Sequence, residues 1–465
     1  MTMSRREHVP VRVRPVLAAA VSVLVVGVLA AAGPANAADP PHRAANPYVG
    51  AQVYVNPEWV DHATAEPGGD AVAGQPTAVW LDRIARIEGD DGRMGLREHL
   101  DAAVSQHADL VQLTLYNLPG RDCGRQAPQG ELSIGDLARY RAEFVDRIVE
   151  ILATPDYADL RIVVFVEPNS LPDLVVNTGN RYAATAACEE ALARGTYQHG
   201  IGYALARLGT VPNVYSYLDI SHHAEVGWPE DSGPLTALLS QAATTAGSTL
   251  ADVHGFVANT ANYSVLHEEY FRSDDVINGQ PVYQSKWVDW NPFIDEVPYV
   301  RHLRGLLTEA GFSPSAGVVV DTSRNGWGGP SRPTGPAPSS DVNRYVDGSR
   351  IDRRAAIGNW CNQRGAGLGQ RPVAEPEPGI DAYVWVKPPG ESDGASGSPN
   401  VGQPYEPLCD PNYLPPRGRI SSPYPRAVRG WRLSPQGMLK FDRRQPLKPR
   451  THIGSPDRSA GNHPS

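Results

Sequence analysis

Carboxylates, amides and histidines recur in short polar stretches of this 465-residue chain, and each stretch follows an apolar run. The stretches are Tyr116-Asn117-Leu118-Pro119-Gly120-Arg121-Asp122, Glu167-Pro168-Asn169, Asp219-Ile220-Ser221-His222-His223, Asn259-Thr260-Ala261-Asn262-Tyr263, Asp321-Thr322-Ser323-Arg324-Asn325 and Lys387-Pro388-Pro389-Gly390-Glu391-Ser392-Asp393. Side chains of these types move protons and hold hydroxyl groups. One polar exit means nothing, because loops are usually polar; six in succession point to an active face. Two long connections add flat apolar surfaces, 278–298 with Trp287 and Trp290 and 324–360 with Trp327 and Trp360. Indoles beside carboxylates and amides suit sugar rings, whose C–H faces stack while their hydroxyls take hydrogen bonds. Any one of these tryptophans has a plainer role available, as a core residue. His222 and His223 beside Asp219 raise metal binding, but no third ligand stands at a recognisable spacing, so no metal or other cofactor is expected.

Such groups need a frame that brings them together. Seven short β-branched runs supply one: Ala51–Val55, Val111–Tyr116, Arg161–Val166, Val214–Leu218, Gly255–Ala258, Ala316–Val320 and Ala382–Val386. Most are continuously apolar, as in strands buried on both faces. Helical patterns lie between them, at Leu96–Val104, Leu137–Ala153, Tyr197–Leu208, Pro234–Ala246 and Tyr299–Ala310. Repeated strand–helix alternation predicts parallel βαβ units, and seven of them predict an α/β fold closed or nearly closed into a barrel. A doubly wound open sheet is the alternative. No G-x-G-x-x-G follows the first run, which leaves a dinucleotide role without support. In a barrel the six polar exits fall on the C-terminal rim, where barrel enzymes keep their sites.

The chain is 41% hydrophobic and carries a formal charge of −9, which argues against a nucleic-acid partner. That charge is uneven: +3 on residues 1–37, −21 on 38–410 and +9 on 411–465. Residues 1–37 read as a signal peptide, with arginines, an apolar run Val16–Ala32 and a small-residue site Ala35-Asn36-Ala37, cleaved after Ala37. A membrane anchor is the competing reading of that run; no later stretch is apolar enough to cross a bilayer. Residues 38–46 read as a short linker, 47–413 as the folded body and 414–465 as a basic, Pro- and Arg-rich tail predicted to be disordered. Four cysteines (Cys123, Cys188, Cys361 and Cys409) in an exported chain suggest two disulfides, with three connectivities open.

The exits resemble those of glycoside hydrolase family 6, the inverting cellulases, over about residues 47–413. YNLPGRDC at Tyr116–Cys123 and VVFVEPNSLP at Val163–Pro172 are similar to the family's two signatures, the second with one difference. TANY (260–263), DTSRNGWGGP (321–330), NWCN (359–362) and VWVKPPGESDG (384–394) are further likenesses, nearest to the bacterial cellobiohydrolases. The resemblance implies a distorted seven-stranded barrel with long active-site loops, a secreted monomer, a β-1,4-glucan or cello-oligosaccharide substrate, and exo-acting hydrolysis. It also implies the pairing Cys123–Cys188 and Cys361–Cys409. Substrate-contacting or supporting positions carried over are Tyr54, Asn56, Tyr116, Asp219, His222, Asn262, Trp360, Lys387 and Glu391.

Inverting hydrolysis needs one carboxyl group to protonate the leaving oxygen and another to activate water on the far side of the sugar. By the resemblance Asp393 is the base and Asp122 the neighbour that raises the acid's pKa. The acid itself falls at Asn169, and an amide has no proton to give. Asp122 is then the nearest remaining candidate. Two other departures go the same way. Pro128 stands where the family has a water-positioning serine, and proline offers neither hydroxyl nor N–H. Glu225 stands where a tryptophan stacks on the sugar beyond the scissile bond. The closing C-terminal helix with its aromatic motif is also missing. These changes imply either a glucanase of impaired activity or, as the alternative, a catalytically inactive β-glucan-binding protein on the same fold.

Overall fold

The computed structural model describes residues 43–394, except 91, 126–129, 182 and 364, together with 409, 431–433 and 439–441. Its centre is one sheet of eight strands: β1 (Val79–Leu81), β2 (Leu110–Leu115), β3 (Arg161–Val166), β4 (Val214–Asp219), β5 (Gly255–Ala258), β6 (Gly317–Asp321), β7 (Val373–Glu377) and β8 (Ile380–Val384). The order is β1-β2-β3-β4-β5-β6-β8-β7. All neighbours are parallel except β7, which returns antiparallel along β8. The two ends of the parallel set meet. Thr77 forms a parallel bridge with Trp385, the Ala78 N–H donates to the Trp385 carbonyl at 3.1 Å, and Trp80 Nε1 donates to the Val386 carbonyl at 2.9 Å. The curled sheet thereby approaches a closed barrel, and the expected seven parallel staves become seven plus one antiparallel edge strand.

Along the strands the side chains alternate between two apolar environments. Val163, Phe165, Tyr217, Val257, Val319 and Val384 meet inside the barrel, while Ile162, Val164, Val166, Leu218, Phe256, Val318 and Val320 pack outward on the helices. Both faces are therefore buried, which is why the strands read as unbroken apolar runs. The outer layer includes the helices Leu96–Ser105, Thr196–Leu208, Pro229–Ala243 and Glu296–Glu309, and a helical stretch from Leu137 to Leu152 that opens into a π turn at Tyr140–Val145. Their bounds follow the sequence periodicity within a few residues.

One stave is a correction. Ala51–Val55 is not a strand: only Val53 bridges to Leu110, and the Tyr54 N–H donates to the Leu110 carbonyl at 2.7 Å. Asn56 ends the run, because its side chain accepts the Glu58 N–H and caps the helix Pro57–Thr64, with proline at the first helical position. The first stave is Val79–Leu81, too short to stand out as a periodic run. Both disulfides implied by the resemblance are present, Cys123–Cys188 and Cys361–Cys409. Within the tail read as disordered, Trp431–Leu433 pairs antiparallel with Leu439–Phe441. The signal peptide, most of the linker, Pro128 and the remainder of the tail lie outside the described residues.

Candidate active site

Buried carboxylates at the strand ends tie the rim loops together. Glu167, just past β3, accepts the N–H groups of Asn117 and Leu118 and the hydroxyl of Tyr140, at 2.9–3.1 Å. Asp219, the last residue of β4, accepts the N–H of Asn169 at 3.0 Å and of Ser221 at 3.2 Å. Asp321, ending β6, accepts those of Ser323, Ala261 and Lys387 at 2.9–3.1 Å. Burial pushes Glu167 up to about 7 and Asp219 up to about 6, against the pull of these donors. The first two staples each span two exits and the third spans three, so the loops keep one mutual geometry. The same exits hold Asp122, Glu167, Asn169, Ser221, Asn259 and Ala261 at positive φ, between 47° and 64°. Such left-handed backbone costs free energy in residues with a Cβ, and clusters of it mark sites held in shape by their surroundings.

Asp122 sits in the loop after β2, which the Cys123–Cys188 bond fastens to the helix Ala186–Arg194. Its Oδ1 accepts the Tyr116 hydroxyl at 2.5 Å and lies 3.1 Å from Arg125 Nε. Arg125 goes further. Its Nη1 donates to the Asp393 main-chain carbonyl at 3.4 Å, and its guanidinium carbon stands 4.4 Å from the centre of the Trp360 ring. One arginine thus spans the two loops that carry the candidate acid–base pair. Asn169 begins the helix Ser170–Val176 and is held through its own N–H by Asp219.

Asp393 is held by three side-chain or backbone donors. Its Oδ1 pairs with Arg324 Nη1 at 2.7 Å, while its Oδ2 accepts the Tyr263 hydroxyl at 2.6 Å and the Asn362 N–H at 3.0 Å. Arg324 in turn lies over the Tyr263 ring at 4.4 Å and donates to the Ala261 carbonyl. The neighbouring Asp393 charge raises the affinity of this guanidinium for its proton against the penalty of burial. The Cys361–Cys409 bond fixes the segment that supplies Asn362.

A cleft of about 400 Å³ opens over this rim. Asp122, Asn169 and Asp393 all line it, with Asn56, Tyr116, Lys387 and Glu391. Lys387 Nζ pairs with Glu391 Oε2 at 3.0 Å. Other sequence candidates lie elsewhere. Tyr54 is 1% exposed, with its hydroxyl 3.0 Å from His99 Nδ1, so its ring is core and not cleft wall. His222 and Asn262 form a buried network in which Asn262 Nδ2 donates to His222 Nε2 at 2.8 Å and Arg354 Nη1 to Asn262 Oδ1 at 3.4 Å. Burial and the nearby Arg354 charge keep the His222 imidazole neutral. Glu225 accepts the Ser221 hydroxyl on the short helix His223–Val226. Trp360 stands behind Arg125. Of the remaining loop tryptophans, Trp327 and Trp287 are buried, the latter under Arg350, and Trp290 is exposed.

Trp80 and Arg125 are among the lining residues that the sequence reading missed. Trp80 presents an indole beside Tyr116, at 5.5 Å between rings, with Lys387 Nζ 5.0 Å above it. Its signal was the run Ala78–Leu81 between Pro76 and Asp82, shorter than any strand template. Arg125 was visible only as a letter in the altered loop after Asp122.

The family profile "Glycosyl hydrolases family 6" matches residues 43–414. Exoglucanase A of Cellulomonas fimi is 42% identical over 441 residues, which cover 90% of this chain and 50% of the relative; the chain thus spans about half the length of that protein. The catalytic domain of Cellulomonas fimi Cel6B superposes with a TM-score of 0.77 at 42% identity, covering 82% of this chain and 90% of that domain. Cellobiohydrolase II (Cel6A) from Humicola insolens, solved in complex with glucose and cellotetraose, superposes at 0.61 with 29% identity over 78% of this chain and 91% of that one.

Proposed function

The chain belongs to glycoside hydrolase family 6, and on that footing we propose that it is an exported, monomeric, exo-acting β-1,4-glucanase of inverting mechanism whose turnover is restrained by Asn169. The observation that carries the reading is the shared cleft: Asp122, Asn169 and Asp393 line one groove with the polar groups Asn56, Lys387 and Glu391 and the rings of Trp80 and Tyr116. A glucan chain has what this groove complements, flat C–H faces for the rings and hydroxyls for the donors and acceptors.

The reaction breaks the bond between the anomeric carbon and the glycosidic oxygen. A water adds to the anomeric carbon and gives up a proton, while the leaving oxygen takes one. Asp393, paired with Arg324, is the group that attracts the proton of the attacking water. At the leaving side Asn169 can only donate an N–H hydrogen bond, and the Asp122 carboxyl group is engaged by Arg125. Proton delivery is therefore the slow part, and restrained activity follows. Export accords with the two disulfides, which persist outside reducing compartments.

Cellohexaose incubated with the full chain, followed by oligosaccharide analysis and by NMR of the new anomeric centre, tests the reading. It expects slow release of cellobiose in the α configuration, lost in Asp393→Ala. A second reading, a glucan-binding protein without turnover, is favoured by Arg125, which occupies a face of Trp360 and bridges the two catalytic loops. Cellohexaose that binds but survives at high protein concentration supports that second reading against the first.

A further inference from the structure

The loop that carries Asp393 leaves β8 at Val384 and is tied back to the barrel at Lys387, whose N–H donates to Asp321 at 3.1 Å. Beyond that point Glu391 bonds within the loop, through its N–H to the Pro388 carbonyl and its carboxylate to Lys387. A carboxylate carried so far from its strand has no fixed direction of its own, and a group outside the loop must aim it. Asn362 does so. Its Oδ1 accepts the Asp393 N–H at 2.9 Å, while its own N–H donates to Asp393 Oδ2 at 3.0 Å. Its Nδ2 donates to Ser392 Oγ at 3.2 Å and to the Gly394 carbonyl at 3.1 Å. One amide side chain thus clasps three consecutive residues with Asp393 in the middle, and the Asn362 backbone bonds the carboxylate itself.

The clasp depends on residue type. Asn362 stands at φ 43°, in the left-handed region that asparagine enters more readily than most residues with a Cβ. It also offers an acceptor and a donor on one short side chain. Aspartate would keep the acceptor and lack the donor; glycine would keep the backbone and lack both. The neighbours of Asn362 in the chain make the clasp firm. Cys361 is bonded to Cys409, and the backbone of Gln363 donates to the Tyr263 hydroxyl, which itself donates to Asp393 Oδ2 at 2.6 Å. Both neutral donors on Oδ2 therefore depend on the segment 361–363, while Arg324 holds Oδ1 at 2.7 Å. A loop clamp is ordinary in itself; this one closes on the side chain and the backbone of the residue that the reaction needs.

We infer that Asn362 is a positioning residue for hydrolysis: by clasping residues 392–394 it aims the Asp393 carboxylate at the water that attacks the anomeric carbon. The inference rests on the glucanase reading above and deepens it. Asp393 takes one proton of that water, the water's oxygen bonds to the anomeric carbon, and the bond to the leaving oxygen breaks. A base displaced by about 1 Å can lose about 100-fold in rate, so its direction matters as much as its presence.

The test is hydrolysis of dinitrophenyl β-cellobioside by the full chain, with binding of cellotriose as a control for the fold. Dinitrophenolate leaves without a proton, so Asn169 drops out of the rate and the base side is read alone. Asn362→Gly accepts the left-handed backbone and removes the side-chain bonds; kcat falls about 10- to 100-fold with KM within about twofold. Azide, which bonds to the anomeric carbon with no proton to lose, restores the rate of this variant as α-cellobiosyl azide and leaves wild type little changed. Asn362→Asp sets a like charge beside the base, and the acidic limb of kcat/KM moves to higher pH. Unchanged kcat in Asn362→Gly, or a loss that azide does not relieve while cellotriose still binds, overturns the proposal. Should Asn362→Gly lose cellotriose binding, Asn362→Asp decides, and an unmoved acidic limb overturns it. Wild-type turnover without these responses leaves the glucanase reading standing; no wild-type turnover of this substrate or of cellotetraose fells both.

Discussion

Asp393 and Asp122 line the same cleft, each beside an arginine, but the two arginines are anchored differently. Arg324 leaves the end of β6, is 7% exposed, and is fixed by the Tyr263 ring and the Ala261 carbonyl as well as by Asp393. Arg125 belongs to the loop after Asp122, is 23% exposed, and reaches across the cleft to its partners. On the first side, charge, ring and backbone all come from the barrel's own strand exits. On the second, the resemblance drawn from the sequence marks Asn169 and Glu225 as departures, and a loop arginine joins Asp122 to the Asp393 loop and Trp360. On the function proposed above, the base side is kept and the acid side rebuilt, so the two sides should respond differently to the same kinds of substitution.

The largest response belongs to the rebuilt side. Asn169→Asp places a carboxyl group where the resemblance puts the acid, in the cleft that Asp122 also lines. General acid catalysis is worth about 10²- to 10⁴-fold, and an increase of that size in kcat on cellotetraose is expected, with little change in binding. An unchanged rate would mean that the base side is damaged too, and the comparison would fail.

Stability should show the opposite ranking. Arg324→Met leaves the Asp393 carboxylate buried without its counter-ion, and breaking such a pair costs about 3–5 kcal/mol. Arg125→Met removes a partner that water can partly replace, at a cost of about 1 kcal/mol. Urea unfolding of both variants measures the difference; equal losses would show that Arg125 is as much a part of the frame as Arg324.

The base side was also the more legible in sequence. Its members sit in long motifs that continue strands, DTSRNGWGGP after β6 and VWVKPPGESDG after β8, so strand ends and motif residues located one another. The acid side was legible only as departures from a pattern. Asn169 and Glu225 could be named as changed, but the loop geometry that carries Arg125 onto Trp360 depends on a disulfide and a glycine contact between segments far apart in sequence. Five of the seven parallel staves were visible as runs buried on both faces with nearly correct bounds, and β8 was shifted by two residues. The first was misplaced because a helix cap at Asn56 ended the obvious run, while three residues between Pro76 and Asp82 supply the stave instead. Tyr54 was misread with it.

Glu268 offers a third arrangement, a buried carboxylate held by backbone amides, with Arg350 acting on it only as a nearby charge. It accepts the Ile351 N–H at 2.6 Å and the Asp352 N–H at 2.9 Å, and burial raises it from 4.5 to about 8. A group raised on folding binds a proton more readily in the folded chain than in the unfolded one. Its stabilising contribution is whole below about pH 4.5 and is lost as the pH climbs toward 8. Each pH unit inside that window costs about 1.4 kcal/mol for one linked proton. Glu268→Gln should flatten the decline of unfolding free energy between pH 5 and 7.5 by about that slope.

The smallest effect concerns the sugar-stacking surface. Trp360 has an arginine 4.4 Å from its ring centre, so the face that the resemblance assigns to a glucosyl ring is already covered. Arg125→Ala clears it. Stacking contacts of this size are worth about 0.5–1.5 kcal/mol, and cellotetraose should bind two- to tenfold more tightly, with a new quench of tryptophan fluorescence that Trp360→Phe abolishes. Weaker binding would mean instead that Arg125 itself is the surface on which the sugar rests. In that case the rebuilt side has exchanged an indole for a guanidinium as its platform, and the cleft is open for substrate with the arginine in place.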